Sequence, residues 1–261
     1  MIVELREEDK LLKKRIKDLA NRSFSQNIYT FTSFLGLGEL DVFYQTGKEL
    51  AELGVTQKDI KVYGGRENAD RCVVRFGNPE SFGYEVDFPI VCINIRPLNE
   101  KFADALSHRD FLGALMNLGI DRSTLGDIMV SEKEAYVFCL DSIAEYICEN
   151  LSFVKHTSVI CKVVENISDI REEAPAEMNV QVASERVDAV LSKVLNISRG
   201  DCLDLFKAGK VYLNGRLCEN NSKAVKSGDV VNARGYGKFI ISGEMTTTRK
   251  GKLNVKILRY K

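Results

Sequence analysis

The sequence predicts an α+β protein of three small domains. These are an N-terminal α+β domain over residues 1–80, an α/β plait over 81–166, and, after a linker at 167–183, a C-terminal domain over 184–261 of two helices and a small sheet. Three observations predict this. First, 261 residues with 44% apolar side chains can fill roughly two or three small cores. Second, the apolar period switches repeatedly between helical and strand spacing. Third, charge is divided between the parts. Residues 184–261 carry 16 basic and 7 acidic side chains, a difference of +9, while residues 1–183 carry 21 and 30, a difference of −9. Such asymmetry in a chain of zero net charge marks a polyanion-binding segment, because counterion release at a phosphate backbone rewards clustered cations.

The N-terminal domain opens on a helix from about Glu7. Leu12, Ile16, Leu19 and Ala20 fall on one face, and Lys10, Lys13, Lys14 and Lys17 form a solvated face opposite. Gly36-Leu37-Gly38 leads into a Glu-Leu-Asp helix start. A helical stretch from Gly47 to Leu53 ends at Gly54. Ile60–Tyr63 and Cys72–Phe76 read as strands joined through Gly64-Gly65-Arg66.

In the middle domain, Tyr84–Ile95 reads as a strand closed by Arg96-Pro97. Phe102, Ala105, Leu106, Leu112, Leu115 and Met116 recur at helical spacing. Ile128–Val130 and Ala135–Leu140 are strands around a polar turn. Asp141 is placed as N-cap of a helix bearing Ile143, Ala144, Ile147 and Leu151, and Val159–Val164 is the last strand. The order β-α-β-β-α-β is that of the ferredoxin-like split unit, shared by many RNA-binding modules. Its third strand lacks the Gly-aromatic-Gly-Phe string of an RRM reader. Tyr136 and Phe138 share a face that the alternation rule assigns to the core.

A linker rich in Glu and Ala, holding Pro175, separates the acidic part from the basic one. Beyond it, Val187, Val190, Leu191, Val194 and Leu195 mark an amphipathic helix. Ser198 caps a second helix, with Asp201 three residues on approximating a capping box. Cys202, Leu205 and Phe206 are its apolar side, and Gly209 its left-handed end. Val211 and Leu213 start a hairpin whose Asn214-Gly215 suits a type I′ turn. Ser227-Gly228-Asp229 turns into a strand from Val230 to Arg234. Leu253, Val255 and Ile257 alternate in a final strand.

Arg199 sits at a helix start, where free N–H groups favour phosphate. Lys207 and Lys210 flank that helix's other end, and Arg216 follows the turn. With Arg186, these side chains are predicted to make one phosphate-binding face around the helix pair. Metal chemistry finds no support. The seven cysteines include no Cys-x-x-Cys pair and share no ligand spacing with His108 or His156, which fits reduced thiols in a core. No apolar run approaches a membrane span, and the N-terminus has no apolar signal core, so a cytoplasmic protein is expected.

Arg186-Val187-Asp188, Ser198-Arg199, Ala208-Gly209-Lys210-Val211, Asn214-Gly215 and Gly228-Asp229 together resemble the S4 RNA-binding domain. That resemblance adds Ser198 and Asn214 to the expected RNA-binding set. Three further strings resemble the YlmH family. They are Ser107-His108-Arg109-Asp110-Phe111-Leu112-Gly113-Ala114-Leu115-Met116 with Leu125-Gly126-Asp127-Ile128, Gly64 to Arg71 (Arg66 and Asp70 depart from the family's string), and Arg234-Gly235-Tyr236-Gly237-Lys238-Phe239. The resemblance implies a bacterial protein associated with the large ribosomal subunit, with structured rRNA and tRNA as candidate partners. It also implies a quality-control protein factor as partner and a part in handling subunits blocked by peptidyl-tRNA. No cofactor is implied.

His108-Arg109-Asp110 could suggest a kinase catalytic loop, but no Gly-rich phosphate loop precedes it and no Asp-Phe-Gly follows. A domain-orienting polar network and a second binding contact are both open readings. The enzyme alternative is an RNA modification carried by the first 165 residues. A pseudouridine synthase needs an Asp after Gly-Arg-Leu, and here Gly215-Arg216-Leu217 precedes Cys218. A methyltransferase needs a Gly-rich turn, and Gly36-Leu37-Gly38 is only a fragment of one. A non-catalytic binder is therefore expected. An acidic front part that docks a basic protein is compatible with it.

Overall fold

A computed structural model of the protein describes residues 7–131, 134–164, 175–248 and 251–260, without the side chains of Phe102 and Glu244. Two compact units divide the chain, Met1–Arg171 and Glu172–Lys261.

The first unit holds both the N-terminal and the middle segments. Its opening elements are α1 (Glu7–Gln26), β1 (Thr30–Phe31), α2 (Leu37–Gln45), α3 (Gly47–Glu52), β2 (Ile60–Tyr63), β3 (Val73–Phe76) and the single turn α4 (Pro79–Phe82). The three strands form an antiparallel sheet in the order β1-β3-β2. α1 lays Ile16 and Ala20 into a core with Leu40, Phe43, Leu50, Val74 and Phe76. The lysine stripe is only partly a solvated face. Lys17 pairs with Glu49 of α3 at 2.7 Å and Lys13 approaches the same carboxylate at 3.9 Å.

The middle elements are β4 (Ile90–Pro97), α5 (His108–Asn117), β5 (Leu125–Val130), β6 (Ala135–Leu140), α6 (Asp141–Asn150), β7 (Phe153–Val154) and β8 (Thr157–Val163). The sheet order is β5-β6-β4-β8-β7, antiparallel throughout, with β7 a short hairpin addition to a β-α-β-β-α-β chain. Phe111, Leu115 and Ile147 from the helices meet Ile93, Ile95 and Val137 from one sheet face.

Three boundaries differ from the sequence reading. The strand expected from Tyr84 begins at Ile90, because residues before it serve the N-terminal segment. The Tyr84 carbonyl accepts the Tyr29 hydroxyl at 2.7 Å, and the Val86 carbonyl accepts Arg75 Nη1 at 2.6 Å. The helix expected from Phe102 starts at His108. Ser107 forms a capping box with Asp110, and the Asp104 N–H is spent on Thr157 Oγ1 at 3.0 Å. Asp141 is the first helical residue rather than the cap, which is Leu140.

The second unit comprises β9 (Ala176–Val182), α7 (Val187–Leu195), α8 (Arg199–Lys207), β10 (Val211–Leu213), β11 (Arg216–Leu217), β12 (Val230–Ala233), β13 (Gly237–Thr247) and β14 (Leu253–Tyr260). Its sheet runs β11-β10-β12-β13-β14-β9. Val187, Val190, Leu191 and Val194 of α7 and Cys202, Leu205 and Phe206 of α8 cover one face of it. The linker expected at 167–183 is in part a strand. Residues 167–174 lie outside the described residues, but Ala176–Val182 pairs along β14. Val180 and Val182 point into the core, and Glu177 pairs outward with Lys256 at 3.0 Å. The polar composition there is the solvent face of an edge strand. β13, which the sequence reading passed over, links β12 to β14.

Candidate nucleic-acid interface

The expected phosphate-binding residues divide by what their side chains already hold. Arg186 caps α7 and grips Asp188 with two contacts, Nε to Oδ1 at 3.0 Å and Nη2 to Oδ2 at 2.6 Å. Asp188 is 2% exposed and also accepts Asn221 Nδ2 at 2.7 Å. Its carboxyl lies below the usual range because the hydrogen bonds from Arg186 and Asn221 and the Arg186 charge outweigh burial. Asp188, held in place by Arg186, thus ties the start of α7 to the loop before β12. Ser198 Oγ accepts the Asp201 N–H at 3.1 Å and donates to its carboxylate at 2.7 Å, so it is an N-cap. Asn214 has φ +52° at the turn; its amide donates to Asp229 at 2.8 Å and accepts the Val230 N–H at 2.8 Å. These three residues have structural duties.

The others face water. Lys207 pairs loosely with exposed Asp204 at 3.1 Å. Arg216 is exposed on β11, beside the Asn214-Gly215 turn. Arg199 and Lys210 are exposed, and their side chains make no hydrogen bond or ion pair with the described residues. α8 separates Arg199 from Lys207 by about 12 Å at 1.5 Å per residue. The cations therefore lie at both ends of one helix, spaced to reach different phosphates. Missing from the expected set was Arg234. Its N–H donates to the Lys210 carbonyl at 2.9 Å, and its guanidinium lies 5.0 Å from the Tyr212 ring centroid. The Arg-Gly-Tyr-Gly string held that signal.

In the first unit, His108, Arg109 and Asp110 part company. Asp110 accepts from Ser107 N and Oγ at 2.8 and 2.7 Å and pairs with Lys155 at 2.9 Å, which together hold its carboxyl down at about 2. Arg109 is exposed, with no partner among the described residues. His108 has exposed surface but is crowded on its inner side; that burial and the Arg122 charge lower its pKa, against a smaller pull from Asp127.

A polar cluster joins the two sheets of this unit; Arg66, Asp70, Arg71, Leu125 and Asp127 lay in the noted motifs, and Phe34 and Arg122 did not. Asp127 accepts from Arg66 Nε and Nη2 at 3.2 and 3.0 Å and from the N–H groups of Asp70 and Arg71 at 3.0 and 3.1 Å. Arg71 donates to the carbonyls of Leu125, Phe34 and Arg122 at 2.8, 3.1 and 3.1 Å. Arg122 donates to Leu125 O at 2.7 Å, and burial and the Arg71 charge bring its pKa down to about 10. Beneath the cluster, Phe138 and Cys92 on the sheet face opposite the helices are fully buried with Phe34 and Val73. Gly65 (φ +92°) lies so close that a Cβ would stand 2.2 Å from the Phe138 ring. That half of the face, where an RRM stacks bases, is closed by the chain's own N-terminal segment.

Five cysteines are buried and two half-buried, all as free thiols. Burial pushes Cys92, Cys139 and Cys161 up to about 12, which keeps them protonated and unreactive. Among the described residues, no cluster of metal-ligating side chains occurs and no helix is long and apolar enough to cross a membrane.

A family model described as "Putative RNA-binding domain in YlmH" matches residues 84–168. A second, described as "Mitochondrial transcription rescue factor 1, C-terminal domain", matches residues 176–234, from the start of β9 to just past β12. The ribosome-associated protein quality control protein P2 of Bacillus subtilis (strain 168) is 30% identical over 180 residues, 68% of this chain and 68% of that protein. The solved structure of cell division protein ylmH from Streptococcus pneumoniae aligns with a TM-score of 0.48 at 16% identity, over 66% of this chain and 99% of that one. With a curated relative of this identity and span, and a YlmH domain matched across the middle sheet, the chain belongs to the YlmH family.

Proposed function

We propose that this protein is a non-catalytic, cytoplasmic RNA-binding factor of the large ribosomal subunit, acting in quality control of subunits blocked by peptidyl-tRNA. In this reading it has three working parts. The second unit is an S4 domain that grips structured rRNA, and tRNA where the two meet. The middle sheet is a ferredoxin-like plait. The N-terminal segment is fixed to that plait, and the acidic excess of the front part, 8 basic against 17 acidic side chains over residues 81–183, can receive a quality-control protein partner.

The observation that carries the reading is the exposed pair Arg199 and Lys210, unpartnered among the described residues, on a unit whose sequence from Ser184 on has a charge difference of +9. Cations not spent on the protein's own carboxylates are those that displace counterions from RNA. The relative's name, with its ribosome association and quality control, gives the setting. The non-catalytic reading is supported by how the central carboxylates are used. Asp127 and Asp188 each accept several hydrogen bonds that hold the fold, leaving neither poised as a base.

The test is sedimentation of tagged protein through a sucrose gradient of cell lysate. Wild type is expected with free large subunits, and Arg199→Ala/Lys210→Ala at the top. Wild type at the top with the double mutant defeats the reading. RNA turnover by the purified protein, lost on a single carboxylate substitution, defeats its non-catalytic part.

A further inference from the structure

The turn between β12 and β13 is placed for more than closing a hairpin. Beyond the Val211–Ala233 pair, the hydrogen bond from Arg234 N–H to Lys210 C=O sets those two cations side by side. Tyr212, Asn232, Lys238 and Tyr260 follow one another across β10, β12, β13 and β14 as direct register partners. By strand alternation they share the face opposite the helices, since Val211, Val231, Ala233 and Phe239 point into the helix-side core. Arg234 lies over the Tyr212 ring at 5.0 Å and Lys238 over the Tyr260 ring at 5.3 Å. This face thus pairs each of two rings with a cation, and since Tyr212 and Lys238 are themselves buried, its open part is the end at the turn.

Tyr236 stands at the tip of the turn, 44% exposed. The glycines on either side, Gly235 and Gly237, have φ of +88° and +96°, a backbone path that L side chains avoid. The turn thus leaves the ring partly open to solvent, and its hydroxyl makes no hydrogen bond with the described residues. A large exposed ring beside two exposed cations matches the chemistry that binds an unpaired nucleotide, whose base stacks on an aromatic ring while its phosphates meet Arg or Lys. The interior of a duplex cannot use the ring, because its bases are already stacked on both faces.

We propose that this turn is a second RNA contact that holds an unpaired nucleotide, with Tyr236 stacking on the base and Arg234 and Lys210 taking the flanking phosphates. The proposal rests on the RNA-binding reading of the second unit and adds a ligand class to it: structured RNA with an unpaired nucleotide beside the helix.

The experiment uses the full chain and two fluorescent probes, a blunt two-stranded RNA duplex and the same duplex with a four-nucleotide 3′ overhang, titrated at several salt concentrations. Wild type should prefer the overhang probe. Tyr236→Ala should remove that preference, weakening the overhang probe by about 5- to 30-fold, with the salt slope unchanged because no charge is lost. Tyr236→Phe should keep the preference. Arg234→Ala should lower the salt slope by about one ion. If Tyr236→Ala binds both probes like wild type, the nucleotide site is refuted while the RNA reading stands. If wild type binds neither probe, both are refuted, and the exposed turn is better explained as a protein-docking element.

Discussion

At the scale of single residues, the polar cluster around Asp127 gives the sharpest expectations. Its carboxylate accepts four hydrogen bonds from the Arg66–Arg71 loop while its side chain is 9% exposed. Asp127→Ala leaves the Arg66 guanidinium and the backbone N–H groups of Asp70 and Arg71 without their acceptor. It should destabilise the first unit by about 3 kcal/mol, read as a lower urea midpoint. Gly65→Ala strikes the same junction sterically, placing a methyl 2.2 Å from the Phe138 ring at a positive φ. The expected loss is about 2–3 kcal/mol, and a thermal melt would show it. A Gly65→Ala protein that melts like wild type would mean that the loop does not press on the sheet. The signature strings are explained by these contacts: Gly64 to Arg71 and Leu125 to Asp127 converge because one loop must close over one sheet face.

Among the elements, α5 and α8 are set by the same device, a serine three residues before an aspartate. Ser198→Ala should cost about 1 kcal/mol in the second unit's unfolding free energy. In α5 the cap has a pH signature. Asp110 is held at about 2, below the ordinary carboxylate value, by Ser107 and Lys155. A carboxylate with a depressed folded pKa adds stability above its unfolded pKa, near ~3.9, and loses it as pH falls through the folded value. An NMR titration should therefore place the Asp110 midpoint near 2, and Ser107→Ala with Lys155→Ala should move it upward. An unmoved midpoint in the double variant would remove these two residues as the cause.

For the whole molecule, the decisive element is β9. The boundary at Ser184 would cut between β9 and α7, yet β9 pairs with β14 over seven register partners and buries Val180 and Val182. A fragment beginning at residue 184 should melt lower than one beginning at 172 and should associate through the bared edge of β14. Equal melting of the two would show β9 to be dispensable. For the same reason, partner binding by the front part is better tested on a chain ending before β9. Charge acts at this scale too. The basic excess lies in one compact unit and the acidic excess mostly in the other, so salt should weaken RNA binding chiefly through the second unit's cations.

The sequence by itself determined the local elements. The helical spacing of Val187 to Leu195, the Ser198 cap and the Asn214-Gly215 turn are all present where the periodicity and turn chemistry put them, because each depends on residues a few positions apart. The antiparallel order of the middle sheet also followed from its element order. Only the tertiary structure decided which polar side chains are occupied. Asn214 and Asp110 are as polar as Arg199 and Lys210 on paper, but their partners Asp229 and Lys155 come to them through the fold. It also decided that Glu177, Asn179 and Gln181 face water from a strand instead of marking a linker, and that Phe138 is sealed beneath Phe34 and Val73. The physical reason is the same in each case. A spacing rule sees neighbours along the chain, whereas burial, ion pairing and edge-strand pairing are settled by residues brought together across dozens of positions.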